Sequence, residues 1–140
     1  MGPEVGRNDI YLSLTGGLGN QLFQWAAAEA ISSKLQLELN VLDIETGDRG
    51  FQLDYFGITR LKRDLIPHDI RELAWRRPKK ETLAQRLAWA TTRRSVARRL
   101  VEESVSGFDP EVPQRARSGA LLKGFFQSPE YFADIPGIIR

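Results

Sequence analysis

Between Thr15 and Trp25 the chain reads Thr-Gly-Gly-Leu-Gly-Asn-Gln-Leu-Phe-Gln-Trp, and the residues on either side of it leave few folds open. Ahead of it, Ile10-Tyr11-Leu12-Ser13-Leu14 is an apolar, β-branched and alternating run that predicts a buried strand; after it, an Ala-rich run through Leu35 predicts a helix from about Gln21. Glycines at 16, 17 and 19 let the backbone take positive φ angles and bring its amides close to a ligand with no β-carbon in the way. The helix that follows directs its free N–H groups and partial positive charge at the same spot, which favours an anion such as phosphate. A glycine turn in this place also serves simply to redirect the chain. Neither standard phosphate pattern is met: Leu22 stands where G-x-G-x-x-G needs its third glycine, and no Gly-Lys-Ser/Thr follows.

The helix is apolar over most of its circumference, with Leu22, Trp25, Ala26, Glu29, Ala30 and Ser33 near one stripe and Phe23, Ala27 and Ile31 on the next, so it should be buried against a sheet. Asn20 is a natural N-cap for it, and a cap that fixes the amide cluster is compatible with a ligand contact. From Gln36 to Asp43 apolar and polar residues alternate, which predicts a second strand. Strand, helix and strand imply a right-handed crossover and a parallel sheet, hence an α/β, Rossmann-like domain with flanking helices. Asp43 ends the second strand, where such proteins hold a ribose; a loop carboxylate making a turn is the plainer use. The short segment Phe51–Ile58 anchors the polar loop from Ile44 to Gly50.

The middle of the chain differs in charge. Residues 60–99 hold thirteen Lys or Arg against four Asp or Glu, a net of +9, while the remainder hold seven against fourteen, a net of −7. Glu81 to Glu103 reads as an amphipathic basic helix, with Leu83, Leu87, Leu100 and Val101 on its apolar stripe. Four uses stay open: a solvated face, docking on an anionic membrane through Arg93, Arg94, Arg98 and Arg99, contact with an anionic substrate, and nucleic-acid binding. The last lacks interleaved aromatics or a reading motif, so no nucleic-acid partner is expected. His68 reads as a surface or helix-start residue.

Beyond a loop marked by Pro110 and Pro113, residues 120–126 form the third predicted strand. Ser128-Pro129-Glu130 then reads as an N-cap, a proline at the first helical position and an acid in the first turn, with Tyr131-Phe132 opening the helix and Pro136-Gly137 breaking it. Phe125, Phe126 and Tyr131 are expected in the core for the most part. Gln127 falls at the strand's C-terminal end, where open α/β sheets place ligands, and is a candidate for donor or acceptor contact.

The unbroken string Gly16-Gly17-Leu18-Gly19-Asn20-Gln21-Leu22-Phe23-Gln24-Trp25-Ala26 resembles the N-terminal signature of the family 11 glycosyltransferases, the α-1,2-fucosyltransferases. Phe51–Ile58 and Gly124-Phe125-Phe126-Gln127-Ser128-Pro129-Glu130-Tyr131-Phe132 are similar to two further segments of that family and stand in its order; residues 60–118 carry no part of the resemblance. The resemblance implies the N-terminal half of a GT-B glycosyltransferase that transfers fucose from GDP-fucose to the 2-hydroxyl of a galactoside, inverting the anomeric carbon without an obligatory metal or other cofactor. It also implies donor contacts from Gly16, Gly17, Gly19, Asn20 and Gln21, with a sugar nucleotide and a glycan acceptor as partners. The family's His-x-Arg-x-x-Asp motif, whose arginine grips the diphosphate, has no counterpart here, and Asp43, Asp54 and Glu130 stand without a visible pairing that would mark a catalytic base. A non-catalytic sugar- or nucleotide-binding module is the alternative, as is a family 11 enzyme with another donor or acceptor.

Size and composition bound this reading. A chain of 140 residues makes one domain, expected here as a disordered lead-in over residues 1–9 and a domain over 10–140 with a basic helical insertion at about 60–118. Family members are about twice as long, so a C-terminal donor-binding domain is expected to be absent and Ile138-Ile139-Arg140 to be the middle of a helix. A cleft face left without that domain would favour self-association. The lack of cysteine excludes disulfides and thiolate metal sites and suits a reducing cytoplasm, and no apolar run reaches the roughly 18–20 residues that span a bilayer. The expected setting is cytoplasmic, of the bacterial type, with peripheral membrane contact through the arginines as one variant.

Overall fold

The structure, a computed structural model, describes residues 8–45, 50–74 and 99–133, together with Leu83. In chain order these form strand β1 (Asp9–Thr15), helix α1 (Leu18–Leu35), strand β2 (Glu38–Glu45), helix α2 (His68–Ala74), strand β3 (Leu100–Glu102), helix α3 (Glu111–Arg115) and strand β4 (Leu121–Lys123). Tight 3₁₀ turns lie at Leu53–Phe56, Arg63–Leu65 and Pro129–Tyr131.

The four strands make one parallel sheet in the order β2-β1-β4-β3. Ile10 pairs with Leu39 and Leu12 with Val41 on one side of β1, while Tyr11 pairs with Leu121 and Leu12 with Leu122 on the other. Period-two alternation sends Ile10, Leu12, Leu14, Val41 and Leu122 to one face, where Ala27, Ala28 and Ile31 of α1 and Val112 and Ala116 at α3 cover them. Tyr11, Leu42 and Leu121 go to the other, under Ile70, Leu73 and Ala74 of α2. The result is a three-layer α/β architecture of Rossmann-like type, as the strand-helix-strand reading predicts.

A constant crossover hand explains the layering. Passing from β1 to β2 and from β3 to β4 moves the chain in one direction across the sheet, and α1 and α3 lie on one face; the connection from β2 to β3 runs back the other way, and α2 lies opposite. The strand order departs from the dinucleotide-binding order 3-2-1-4-5-6, because β3 lies outside β4 at the far edge and not beyond β2.

Three expectations are corrected. Residues 100–102, expected as the end of the basic helix, are a strand: their backbone pairs with β4 from Leu100↔Leu121 to Glu102↔Lys123, and that ladder overrides the helical spacing of the side chains. Of the earlier part of that helix only Leu83 is described; it is helical and exposed, and Arg93, Arg94 and Arg98 lie outside the described residues. The helix expected from Tyr131 is, as far as Ala133, a single 3₁₀ turn, although Ser128 caps it through Oγ to the Glu130 amide (3.3 Å) as predicted. The lead-in lies outside the described residues up to residue 7, and Asp9 already belongs to β1. Residues 134–140, with the expected break at Pro136-Gly137, also lie outside them.

Candidate functional site

β1 and β4 are parallel neighbours, so the turns that follow them lie side by side at the C-terminal end of the sheet, the end at which open α/β sheets bind ligands. The glycine turn is the one after β1. Only one of the three glycines uses the left-handed region: Gly16 takes φ +78°, whereas Gly17 is extended (φ −91°, ψ −169°) and Gly19 lies inside α1. A Cβ on Gly16 would stand 2.5 Å from Nδ2 of Asn20, so this glycine makes room for that side chain.

Helix α1 starts three residues earlier than the apolar stripe predicts, at Leu18, with Gly17 in the cap position. Asn20 is therefore not the N-cap. No side chain caps the helix and no acid stands in its first turn, which leaves the positive end of an 18-residue helix at the C-terminal end of the sheet. Asn20 instead turns its Oδ1 outward to accept a hydrogen bond from Nε2 of Gln127 (2.5 Å). Two candidates 107 positions apart thus meet across the ends of β1 and β4.

Gln21 does something else. It is fully buried, donates through Nε2 to the carbonyls of Gly16 (2.9 Å) and Gly50 (2.8 Å), and accepts through Oε1 from the Gln52 amide (3.0 Å). Its amide ties the glycine turn to the loop after β2, so Gln21 shapes the site from beneath. Gln24, one turn further and equally buried, accepts from the Thr15 amide (3.1 Å), while its Nε2 has no partner among the described residues.

Next to the glycine turn the chain leaves β4 through two unusual backbone angles, φ +154° at Gly124 and φ +50° at Phe126. Phe126 is fully buried, edge-on to Tyr131 with 5.2 Å between ring centroids, and Phe108 packs on Tyr131 from 4.9 Å. Glu103, just past β3, accepts from the Phe126 amide (3.2 Å) and the Tyr131 hydroxyl (2.5 Å), and that hydroxyl accepts from the Asp109 amide (2.9 Å). Burial, then the bond to Glu103, pushes the Tyr131 hydroxyl well above the ordinary tyrosine range. The Asp109 carboxylate accepts from the backbone amide and hydroxyl of Ser104 and from the Glu111 amide, which holds it below the usual carboxylate range. Of the three aromatics expected in the core, Phe126 and Tyr131 are there and Phe125 is half exposed.

The remaining candidates lie elsewhere. Asp43 is buried and ion-paired with Arg60, whose guanidinium also caps the Phe51 ring at 5.6 Å, so its carboxylate anchors the loop after β2. Arg99 pairs with Asp69 and donates through Nε to the Gly119 carbonyl (2.8 Å), so it joins α2 to the sheet and does not stand free for a membrane. His68 opens α2 as read; Asp54 and Glu130 are exposed on separate 3₁₀ turns. Among the described residues no helix is long and apolar enough to cross a membrane. Sequence reading missed Gln24, Glu103 and Asp109, since nothing local marks which glutamine or acid the fold will bury or bond; the one available signal was the apolar pair Leu100-Val101, two residues ahead of Glu103, which reads as a strand only when a partner is supplied.

Fold and site together define a parallel α/β protein with an uncapped helix and a pair of amide side chains at the C-terminal ends of β1 and β4. Compared with family models, curated proteins and solved structures, the chain matches none.

Proposed function

We propose that the surface formed by the Gly16–Asn20 turn and Gln127 is the donor side of a glycosyltransferase site, and that the chain is the N-terminal half of a GT-B enzyme of the family 11 type, transferring fucose from GDP-fucose to a galactoside 2-hydroxyl. The carrying observation is the hydrogen bond from Gln127 to Asn20, which joins two segments whose sequences resemble that family, at the place in the sheet where α/β proteins bind ligands. The chemistry is consistent with it. As the sugar gains oxocarbenium character the leaving diphosphate gains charge, and fixed backbone N–H groups at an uncapped helix end stabilise that charge without reorganisation. Nothing in this reading assigns a base.

One observation favours a binding module as the second reading: both side chains of the pair are amides, which orient a ligand but take no proton from it. Titrating GDP and GDP-fucose into the 140-residue chain, its Asn20→Ala variant and its Gln127→Ala variant separates the outcomes. Binding that weakens about tenfold in each variant, a loss of ~1.4 kcal/mol, is expected; equal affinity in all three removes the pair from the donor site. Transfer to a galactoside by these residues alone is expected to be undetectable, because they include no His-x-Arg-x-x-Asp motif.

A further inference from the structure

We infer that Glu103 is a positioning residue for the Asn20–Gln127 pair: its carboxylate holds the left-handed turn at Phe126 and so aims Gln127 at Asn20. The inference rests on the assignment of that pair to ligand contact for its functional meaning, though not for its geometry.

Glu103 touches the chain before, within and after the turn. Its backbone amide donates to the Lys123 carbonyl (2.9 Å), Oε1 accepts from the Phe126 amide (3.2 Å), and Oε2 accepts from the Tyr131 hydroxyl (2.5 Å). The space for it is made by Gly124: a Cβ there would stand 2.6 Å from the Cβ of Glu103, and φ +154° is closed to other side chains in any case. Phe126, at φ +50°, sits where a bulky residue is rarely found, so something must hold it. Burial of its ring against Tyr131 holds the side chain, and Glu103 holds the amide. Gln127 is the next residue; any relaxation of Phe126 toward negative φ swings Gln127 away from Asn20. Two acceptor oxygens are needed, because the Tyr131 hydroxyl already accepts from the Asp109 amide and has its one proton to give. A glutamine at 103 has the right size and a single acceptor.

The test uses the full 140-residue chain, isotope-labelled, with the side-chain amide signals of Asn20 and Gln127 assigned by N20A and Q127A, and GDP as the titrant. In E103Q both amide signals are expected to shift and GDP affinity to fall about tenfold. Y131F, which frees Oε2 while leaving the carboxylate, should move the same signals in the same direction and keeps the test open if E103Q does not fold. D69N removes the ion pair to Arg99 at the start of β3, four residues before Glu103, and so loosens the same strand without touching the turn; as a control for lost stability alone it should leave both signals and the affinity in place. Folded E103Q or Y131F with unmoved amide signals overturns the inference, as does D69N shifting them equally. Shifted signals with unchanged GDP affinity uphold the positioning role and count against the ligand assignment instead.

Discussion

Gly16 and Gln21 fix one turn by opposite means, the first by having no side chain and the second by burying one. Substituting Gly16 with alanine places a β-carbon in the left-handed region, at a cost of about 1–2 kcal/mol, and pushes Asn20 from its position. The expected outcome of Gly16→Ala is a lower denaturation midpoint together with loss of GDP binding, measured on the same sample. For Gln21→Leu the side-chain volume stays similar, but the Gly16 and Gly50 carbonyls and the Gln52 amide lose their partner. Unpaired buried groups cost about 1–3 kcal/mol each; with the three only half-buried, toward the low end each, a loss of roughly 3 kcal/mol is expected from urea unfolding, larger than that for Asn20→Ala. Residue type marked Gly16, Asn20 and Gln127 in the sequence as candidates, although a glycine turn can simply redirect the chain and Asn20 also reads as an N-cap. It did not separate Asn20 from its neighbour Gln21, since which of two adjacent side chains faces out depends on where the helix begins.

Among the elements, α1 is the one that local pattern dictates most fully: an apolar circumference leaves a helix nowhere to go but between a sheet and its covering turns. β3 is the reverse case. Three residues do not make a strand unless a partner edge is supplied, and β4 supplies it from 21 positions downstream. The tie that seats β3 is Arg99, through Asp69 of α2 and the Gly119 carbonyl. Arg99→Ala is expected to cost about 1–2 kcal/mol, and the coupling with Asp69→Ala in a double-mutant cycle to be about 0.5–1 kcal/mol, the partly exposed pair being screened by solvent. A coupling of zero in that cycle would mean that Asp69 does not hold Arg99.

For the molecule as a whole, two groups on the loops that lead out of β3 and β4 set opposite limits to stability. The Asp109 pKa is lowered by its bonds to Ser104, so its contribution is present above the ordinary value of 3.8 and is lost as pH falls through the folded value. The Tyr131 pKa is raised by burial and by Glu103, so its contribution is present below the ordinary value of 10.0 and is lost as pH rises toward the folded value. Urea midpoints followed against pH should therefore differ between wild type and Asp109→Asn chiefly above pH 4, converging in stronger acid. Wild type and Tyr131→Phe should differ most below pH 10 and converge in stronger alkali. Convergence at the wrong end in either series would refute the assigned direction.

By itself the sequence determined the first strand, the glycine turn, the long helix and the parallel partner after it, because these rest on side-chain periodicity and backbone permissiveness within some thirty residues. It also singled out Asn20 and Gln127 one at a time. Tertiary structure alone decided that β4 lies against β1, that the chain's basic stretch ends in an edge strand, and that Gln127 reaches Asn20 across 107 positions. The physical reason is range: turn and helix preferences act between neighbours, whereas strand order and the meeting of two amides depend on which surfaces remain to be buried once the local elements have formed.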